Sequence, residues 1–290
     1  RRFKRSRPHI DGVKLTLIGG EPLLHPRRCR EIIASVRQTT PQLRVDATTN
    51  LAVTLDREHL ALVSELDELV VSLDGLEPLH NAQRRAYRDS FNPFVRTLTN
   101  VSALVDAGFS DKLYVQGAIR DEYAQIEHFQ DFQRELMRIG VRYDRIAFET
   151  IHPSEHQPTP QQSYLACLRA PRLREQVCCK YRGGHHLVIG PNGALFSDFY
   201  DWDELGRLTD EVEALQQRFD QLVERMPALR DPTCRECPVI GYCWGGCSNA
   251  SRLVGDRPSA FCDQHALTER IVQLARDGNL VSLPRSGRCR

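Results

Sequence analysis

The sequence lacks several features that mark common classes of protein. Its net charge is small, because 39 lysines and arginines stand against 38 aspartates and glutamates. Such a balance gives no electrostatic reason to expect nucleic acid or an anionic membrane as a partner. No apolar run approaches the roughly 18 residues of a membrane-spanning helix, and no signal peptide is visible. We therefore expect a cytoplasmic protein.

Lysine is also scarce, since only four of the 39 basic residues are lysines. The arginines are scattered among acidic residues, a pattern that genomic base composition explains better than phosphate recognition does. None of the residues before Gly19 is cysteine, and the ten cysteines of this long chain do not form the dense pattern of a small disulfide-linked domain. Their metal-like spacing favours a reducing compartment.

Apolar strand-like runs alternate with segments of helical period from residue 13 to about residue 150. This alternation is typical of repeated βαβ units, whose right-handed crossovers give a parallel sheet with ligands at the carboxyl ends of the strands. We therefore predict an α/β domain over residues 1–150. Its strands are predicted over residues 14–18, 43–48, 69–73, 112–119 and 145–149, and its helices over residues 26–37, 56–65, 91–107 and 122–139.

The remainder of the chain predicts a second, smaller domain. Residues 151–163 carry three prolines without periodicity, so we interpret them as a linker. The second domain then covers residues 164–279, before a polar tail over residues 280–290. Within it we predict helices over residues 164–175, 203–226 and 266–276, and a hairpin over residues 187–196 that turns at Pro191-Asn192-Gly193.

The first predicted strand is followed by Gly19-Gly20-Glu21-Pro22. Two glycines let the backbone approach a ligand without a side chain in the way. Their exposed backbone groups, together with the Glu21 carboxylate, are suited to hold an amine. A plain glycine turn with a surface glutamate is an equally good interpretation of this motif taken alone.

Polar residues also follow the next two predicted strands. Thr49 and Asn50 end one strand, and Ser72-Leu73-Asp74-Gly75 ends the next, with Arg84 downstream. Such side chains bind ribose hydroxyls or carboxylates, although an Asp-Gly pair alone is more often a turn. Because the carboxyl ends of parallel strands meet at one edge of the sheet, the joint pattern favours a ligand site.

A ladder of cysteines lies near the other end of the chain, with the spacing Cys234-x2-Cys237-x5-Cys243-x3-Cys247, followed by Cys262. Closely spaced thiolates hold a metal ion or an iron-sulfur cluster. Structural zinc is the alternative, because Cys-x2-Cys is also a common zinc spacing. Against zinc stand the missing second well-spaced pair and the further thiols at Cys178 and Cys179.

The Gly-Gly-Glu-Pro motif and the cysteine ladder, in this order and at this separation, resemble a radical S-adenosylmethionine (SAM) enzyme with a C-terminal SPASM extension. The Ser-Leu-Asp-Gly segment with its downstream arginine resembles the same family, whereas Leu51 stands where relatives often have glycine. The resemblance implies an α/β fold: a partial (β/α)6 barrel, here without its first strand, followed by a small cysteine-rich SPASM domain. The SAM-binding residues that it implies are Gly19, Gly20, Glu21, Pro22, Thr49, Asn50, Ser72, Asp74, Arg84 and Arg120.

The resemblance also implies two auxiliary [4Fe-4S] clusters. It gives one the ligands Cys234, Cys237, Cys243 and Cys262, and the other Cys178, Cys179, Asp198 and Cys247. Asp198 stands where the family pattern has cysteine, and a carboxylate is a harder ligand than a thiolate. The second site therefore retains a cluster with an aspartate ligand, uses both Cys178 and Cys179, or holds no cluster.

One part of the family pattern is missing from the sequence. The family holds its catalytic cluster on a Cys-x3-Cys-x2-Cys loop before the Gly-Gly-Glu strand, and no residue before Gly19 is cysteine. We interpret the chain as a fragment without this loop, with a truly degenerate enzyme as the alternative. The chain alone is expected to be inactive.

The activity that the resemblance implies is reductive cleavage of SAM to a 5′-deoxyadenosyl radical, which crosslinks, oxidises or epimerises a ribosomally made peptide. The implied partners are the peptide or protein substrate and an electron donor such as flavodoxin or ferredoxin. One alternative is a sulfatase-maturing enzyme, and another is a non-catalytic, metal-stabilised peptide-binding protein. No catalytic residue is assigned, since Glu149, Tyr200 and Asp203 are only polar candidates near domain edges.

Overall fold

The computed structural model of the chain describes residues 12–86, 88, 90–119, 126–150, 187–197, 204–224 and 236. The chain divides into two compact units, residues 1–151 and 152–290. The predicted linker, the helices over residues 164–175 and 266–276 and the tail fall outside the described residues. Among the residues that are described, no helix is long and apolar enough to cross a membrane.

The described part of the first unit consists of a five-stranded sheet and the helices that connect its strands. The strands are β1 (Lys14–Leu17), β2 (Arg44–Thr49), β3 (Glu68–Ser72), β4 (Leu113–Ile119) and β5 (Ile146–Thr150). The α-helices are α1 (Pro26–Thr39), α2 (Arg57–Glu65), α3 (Glu77–Gln83), α4 (Pro93–Asp106) and α5 (Ile126–Arg138). All five predicted strands and all four predicted helices of this region are confirmed, with ends that shift by a few residues.

Helix α3 is the element that the sequence pattern missed. It has seven residues, with a proline in its first turn, and only Leu79 and His80 of them are buried. Two turns are too few for a 3.6-residue apolar period to stand out. The helix is nevertheless important for the site, because it carries His80 and leads directly to Arg84.

The strand order in the sheet follows the chain order, β1-β2-β3-β4-β5, and every neighbouring pair is parallel. Right-handed crossovers that always step in the same direction place all connecting helices on one face of the sheet. A sheet built in this way curves into a barrel or a part of one. The predicted α/β partial barrel is therefore confirmed.

The two faces of the sheet differ in polarity. On the helix-covered face, Val45, Val71 and Val115 are completely buried in one large apolar core. Alternate residues point to the opposite face, where Asp46 accepts a hydrogen bond from Thr16 Oγ1 at 3.4 Å and pairs with Lys14 Nζ at 2.5 Å. The helix-covered face thus supplies most of the packing energy, whereas the opposite face presents polar groups beside a small buried apolar cluster of Val70, Tyr114 and Ala147.

The described part of the second unit is a small antiparallel sheet with one helix. Its elements are β6 (Val188–Ile189), β7 (Ala194–Phe196), β8 (Gly206–Arg207) and α6 (Val212–Glu224). The predicted hairpin is confirmed, and its turn is closed by Asn192 Oδ1, which accepts the Ala194 N–H at 3.1 Å, and by Gly193 at a φ of 78°. Phe219 of α6 packs against Leu195 and Leu205.

The helix predicted over residues 203–226 is wrong at its start. Gly206 has a φ of 150°, which no helix contains, and it pairs with Leu195 of β7. Asp210 Oδ2 then accepts the Arg207 N–H at 3.2 Å and closes a turn before α6 begins. The hydrogen bond that Asp210 accepts and the pairing with β7 stabilise a non-helical backbone here, although the sequence has a helical period.

Candidate functional site

The turn after β1 is open on its outer side. Gly19 and Gly20 have φ angles of 99° and 50°, and both residues are exposed. L-residues with side chains rarely adopt such angles, whereas glycine does so at little cost. A Cβ atom added at either position meets no atom of the described residues within 4 Å. The turn therefore offers its backbone to a ligand and leaves room for one.

Glu21 fastens this turn to the end of β2. Its Oε1 accepts hydrogen bonds from Thr49 Oγ1 at 2.5 Å and from the Leu23 N–H at 3.0 Å, and its Oε2 accepts one from the Asn50 N–H at 2.8 Å. A carboxylate has about four acceptor positions, so these three donors leave it capacity for a further one. Glu21 thus braces the turn and keeps a negative charge beside it.

Pro22 begins a short 3-10 helix behind the turn, and Cys29 lies beneath it. The Cys29 Sγ–H donates to the Pro22 carbonyl oxygen at 3.4 Å. Burial raises the pKa of the Cys29 thiol, and the negative charge of Glu21 raises it further. Cys29 is therefore a buried, neutral thiol that packs under the turn.

The loop after β2 is held in a strained conformation. Leu51 is completely buried and has a φ of 53°, the only positive φ of a non-glycine residue in the described ranges. The resembled family often has glycine at this position, and Leu51 adopts the left-handed conformation that glycine adopts easily. Thr97 Oγ1 donates to the Asn50 carbonyl at 2.8 Å, and Asn100 Nδ2 donates to the Leu51 carbonyl at 2.8 Å. Helix α4 therefore fixes the end of β2.

The end of β3 is closed by an ion pair. Asp74 is buried, and its Oδ1 accepts hydrogen bonds from an Arg84 terminal N–H at 3.0 Å and from the Ala118 N–H of β4 at 2.9 Å. The Arg84 Nε lies 2.7 Å from Asp74 Oδ2, but its N–H direction does not meet hydrogen-bond geometry, so we regard this second contact as ionic. Asp74 and Arg84 neutralise each other where β3 and β4 end.

His80 supports the same strand end in its neutral form. Its Nδ1 accepts the Asp74 N–H at 3.2 Å, and its ring packs against Phe94 with a centroid distance of 5.9 Å. Burial lowers the pKa of His80 to about 4; the Asp74 carboxylate opposes this shift and the Arg84 cation adds to it. At neutral pH the ring is therefore an uncharged acceptor for the backbone.

The structure brings most of the predicted SAM-binding residues to one edge of the sheet in two groups. Hydrogen bonds join Glu21, Thr49 and Asn50 behind the glycine turn, and Asp74 and Arg84 form the second group. Ser72 belongs to neither group; it is half-buried on the polar face of the sheet, beside its register partner Gln116. Arg120 lies outside the described residues.

The sequence did not predict three polar residues that lie beside the strand ends of the site: Thr97, Asn100 and Gln116. Thr97 and Asn100 are buried although they are polar, and a polar residue on the apolar face of a predicted helix is the signal that points to them. Gln116 interrupts an otherwise apolar strand, which is the corresponding signal in β4.

The predicted metal ligands lie outside the described residues: Cys178, Cys179, Asp198, Cys234, Cys237, Cys243, Cys247 and Cys262. Within the ranges that are described, no three histidine, cysteine, aspartate or glutamate side chains are grouped closely enough to hold a metal ion. Both cluster assignments therefore stay predictions.

Solved structures with the same fold include anSMEcpe, an anaerobic sulfatase-maturating enzyme. It is a radical SAM enzyme with a SPASM domain. Native anSMEcpe with bound AdoMet and Cp18Cys peptide is 14% identical to this chain, and the match covers 96% of this chain and 89% of that one at a TM-score of 0.65. Native anSMEcpe with bound AdoMet is 14% identical over 95% and 87% of the two chains, at a TM-score of 0.67. No family model and no curated protein matches the chain. At this identity the likeness establishes the fold alone, and the predicted α/β fold with a partial barrel is confirmed.

Proposed function

We propose that the chain binds SAM across the carboxyl ends of β1, β2 and β3 and belongs to a radical enzyme that modifies a peptide or protein. The observation that carries this proposal is the fold shared with anSMEcpe in complexes with AdoMet and peptide, over 96% of this chain. The motifs named from the sequence lie at the edge of the sheet where parallel α/β folds bind ligands.

The glycine turn suits the amino group of SAM. Backbone carbonyls are acceptors for an ammonium group, and the Gly19-Gly20 turn presents its backbone into open space. The Glu21 carboxylate beside the turn adds an attractive negative charge and is already oriented by Thr49 and Asn50. An ammonium held there requires no rearrangement of the chain, which favours binding.

The end of β3 suits the remainder of SAM. The Ser72 hydroxyl is half-buried on the polar face of the sheet, where it can bond a ribose hydroxyl. In this proposal the Asp74 and Arg84 pair shapes the strand end, and Arg84, whose side chain is one third exposed, is presented to a carboxylate. Arg120 is a second cation proposed for that carboxylate.

The chemistry comes from groups that the protein binds. A [4Fe-4S] cluster and SAM, when bound, would supply radical chemistry at the substrate, with electrons from a donor such as flavodoxin or ferredoxin. The role of the residues described here is to bind SAM and fix its orientation. We propose one or two auxiliary clusters on the cysteines of the second unit, the second of them with Asp198 among its ligands.

Two classes of substrate are consistent with this proposal. The first is a ribosomally made peptide that is crosslinked, oxidised or epimerised. The second is a sulfatase side chain, and the specific observation in its favour is that anSMEcpe is sulfatase-maturating and has been solved with peptides. We therefore propose a peptide segment as the substrate in both cases.

The first test is binding of SAM to the folded chain by equilibrium dialysis, after anaerobic purification with iron and sulfide counted against zinc. We expect saturable binding that weakens at least about tenfold in Glu21→Ala, because a charge and three hydrogen bonds at the turn are lost. Glu31→Ala is the matched control, since Glu31 is an exposed glutamate of α1 paired only with Arg28 among the described residues. Failure of the folded wild-type chain to bind SAM contradicts the proposal, and zinc without sulfide contradicts the cluster assignment.

A further inference from the structure

The segment behind the glycine turn is held from helix α2 by a histidine. His59 is buried, and its Nε2 lies 2.9 Å from the carbonyl oxygen of Leu23, a residue far from it in sequence. A carbonyl oxygen only accepts hydrogen bonds, so Nε2 carries a hydrogen and donates it to Leu23. This bond links the second βα unit of the sheet to the 3-10 helix that follows Gly19-Gly20-Glu21.

The other ring nitrogen fixes the direction in which His59 points. With the hydrogen on Nε2, Nδ1 accepts the Asp56 backbone N–H at 3.3 Å, and it also lies 2.7 Å from Asp56 Oδ1. The same Asp56 oxygen caps α2 by accepting the N–H groups of Glu58 and His59. The imidazole is therefore clamped between the start of a helix and the Leu23 carbonyl.

Leu23 passes this restraint on to the turn. It is completely buried, and its N–H donates to Glu21 Oε1 at 3.0 Å while its carbonyl accepts from His59. Both backbone groups of one residue are thus bound, one by the carboxylate that braces the glycine turn and one by α2. Any movement of Leu23 must shift Glu21, and with it the turn.

We propose that His59 is a positioning residue for ligand binding: it holds Glu21 and the Gly19-Gly20 turn in the conformation that receives the amino group of the ligand. The inference rests on the proposed function, because the ligand is SAM. His59 does not touch the ligand, and it acts through Leu23. Loss of the Nε2 donor lowers the fraction of molecules with a preformed turn, and the apparent affinity falls by that fraction.

Two amide substitutions separate this role from a general contribution to stability. Glutamine at position 59 carries an N–H at the reach of the imidazole Nε2, whereas asparagine reaches only as far as Nδ1. His59→Gln retains the donor to Leu23, and His59→Asn removes it while remaining polar and smaller. Ser64→Ala is the control on the same helix, because among the described residues the Ser64 hydroxyl bonds only the Ala61 carbonyl, one turn earlier in α2.

The experiment measures SAM affinity by equilibrium dialysis and amide hydrogen exchange by mass spectrometry on the full 290-residue chain. We expect His59→Asn to bind SAM about tenfold more weakly, the factor that one buried hydrogen bond carries. His59→Gln is expected to lie within about threefold of the wild type, and Ser64→Ala to equal it. Without SAM, exchange in a peptide covering residues 19–25 is expected to rise in His59→Asn only, with β3 unchanged.

Equal SAM affinity in His59→Asn and the wild type overturns the inference, and so does faster exchange throughout the sheet, which indicates a general loss of stability. If the folded wild-type chain does not bind SAM, the proposed function fails instead. In that case the exchange of residues 19–25 still decides whether His59 holds the turn.

Discussion

The ends of β1 and β3 lie at the same edge of the sheet and use a carboxylate in opposite ways. At the end of β1, Glu21 stands behind the turn, binds three protein donors and leaves the backbone of Gly19 and Gly20 open. At the end of β3, Asp74 is itself buried and neutralised by Arg84. The backbone at the end of β1 is therefore accessible to a ligand, whereas the end of β3 is held rigidly by an ion pair.

This difference assigns separate tasks to residues that look alike in sequence. Both carboxylates follow an apolar strand, and both belong to a motif with glycine. Only their surroundings distinguish the two carboxylates. Glu21 accepts from Thr49 and Asn50 at the end of β2 and from Leu23, whereas Asp74 accepts from the Arg84 cation and a β4 amide. Substitutions at β3 should therefore affect the free energy of unfolding most, and substitutions at β1 should affect ligand affinity most.

The largest effect on stability is expected for Asp74→Ala. The substitution leaves the Ala118 N–H without its acceptor and Arg84 partly buried without a counter-charge, which costs about 3 kcal/mol of unfolding free energy, the lower end of the range for a broken buried pair. Urea unfolding followed by circular dichroism measures it. Adding Arg84→Ala should recover part of the loss, because the unpaired cation is then removed.

Glu21→Ala provides the comparison in the same experiment. Glu21 is only half-buried as a residue, so water takes the place of its carboxylate in part, and we expect a loss of about 1 kcal/mol. A loss as large as that of Asp74→Ala contradicts the division between an open and a closed strand end.

The next effect is a dependence of stability on pH that comes from His80. Because the pKa of His80 in the folded chain is about 4, against an ordinary value of 6.5, the unfolded chain binds a proton first as the pH falls. The unfolding free energy is therefore complete above pH 6.5 and decreases by up to about 3 kcal/mol between pH 6.5 and 4. Urea midpoints at intervals between pH 7 and about 5 measure the slope before carboxylates with ordinary pKa values begin to titrate.

His80→Asn is the control for this pH dependence. The asparagine side-chain oxygen can accept the Asp74 N–H in place of Nδ1, and it does not titrate. The slope between pH 6.5 and 5 should then be nearly absent. If the unfolding free energy of His80→Asn depends on pH as steeply as that of the wild type, groups other than His80 cause the dependence.

Much of the fold was predictable from the sequence, for identifiable physical reasons. Strands such as β3 are buried on both sides by apolar neighbours, and their sequences are continuous apolar runs. The start of α6 was not predictable in this way, because the pairing of Gly206 with Leu195 is a contact between distant residues that no local period encodes. Helix α3 was missed because it is short.

The candidate site was predictable as a set of strand ends but not as a network. The sequence places Glu21, Thr49 and Asn50 at neighbouring strand ends, yet it does not tell that the carboxylate binds Thr49 and the Asn50 N–H. Nor does it tell that Leu51 keeps the left-handed conformation that glycine usually supplies, since the support comes from Thr97 and Asn100 on α4. These are side-chain contacts between elements about 30 to 50 residues apart. Patterns in a single sequence do not reveal the geometry of such contacts.

The sharpest test of the open strand end is Gly20→Ala, for which we expect a loss of stability as small as that of Glu21→Ala. A side chain at a φ of 50° costs about 1 kcal/mol, and the new Cβ occupies the space in which we propose that SAM binds. Gly108→Ala is the matched control, because Gly108 has a φ of 85° and lies at the other end of the sheet after α4. A Cβ atom added there also meets no atom of the described part of the chain within 4 Å. Both variants should lose similar stability in urea, whereas only Gly20→Ala should lose SAM affinity in equilibrium dialysis. If the two variants bind SAM with equal affinity, the ligand lies away from the turn. The Cβ atom added at Gly20 then fills the space above the turn without touching the ligand.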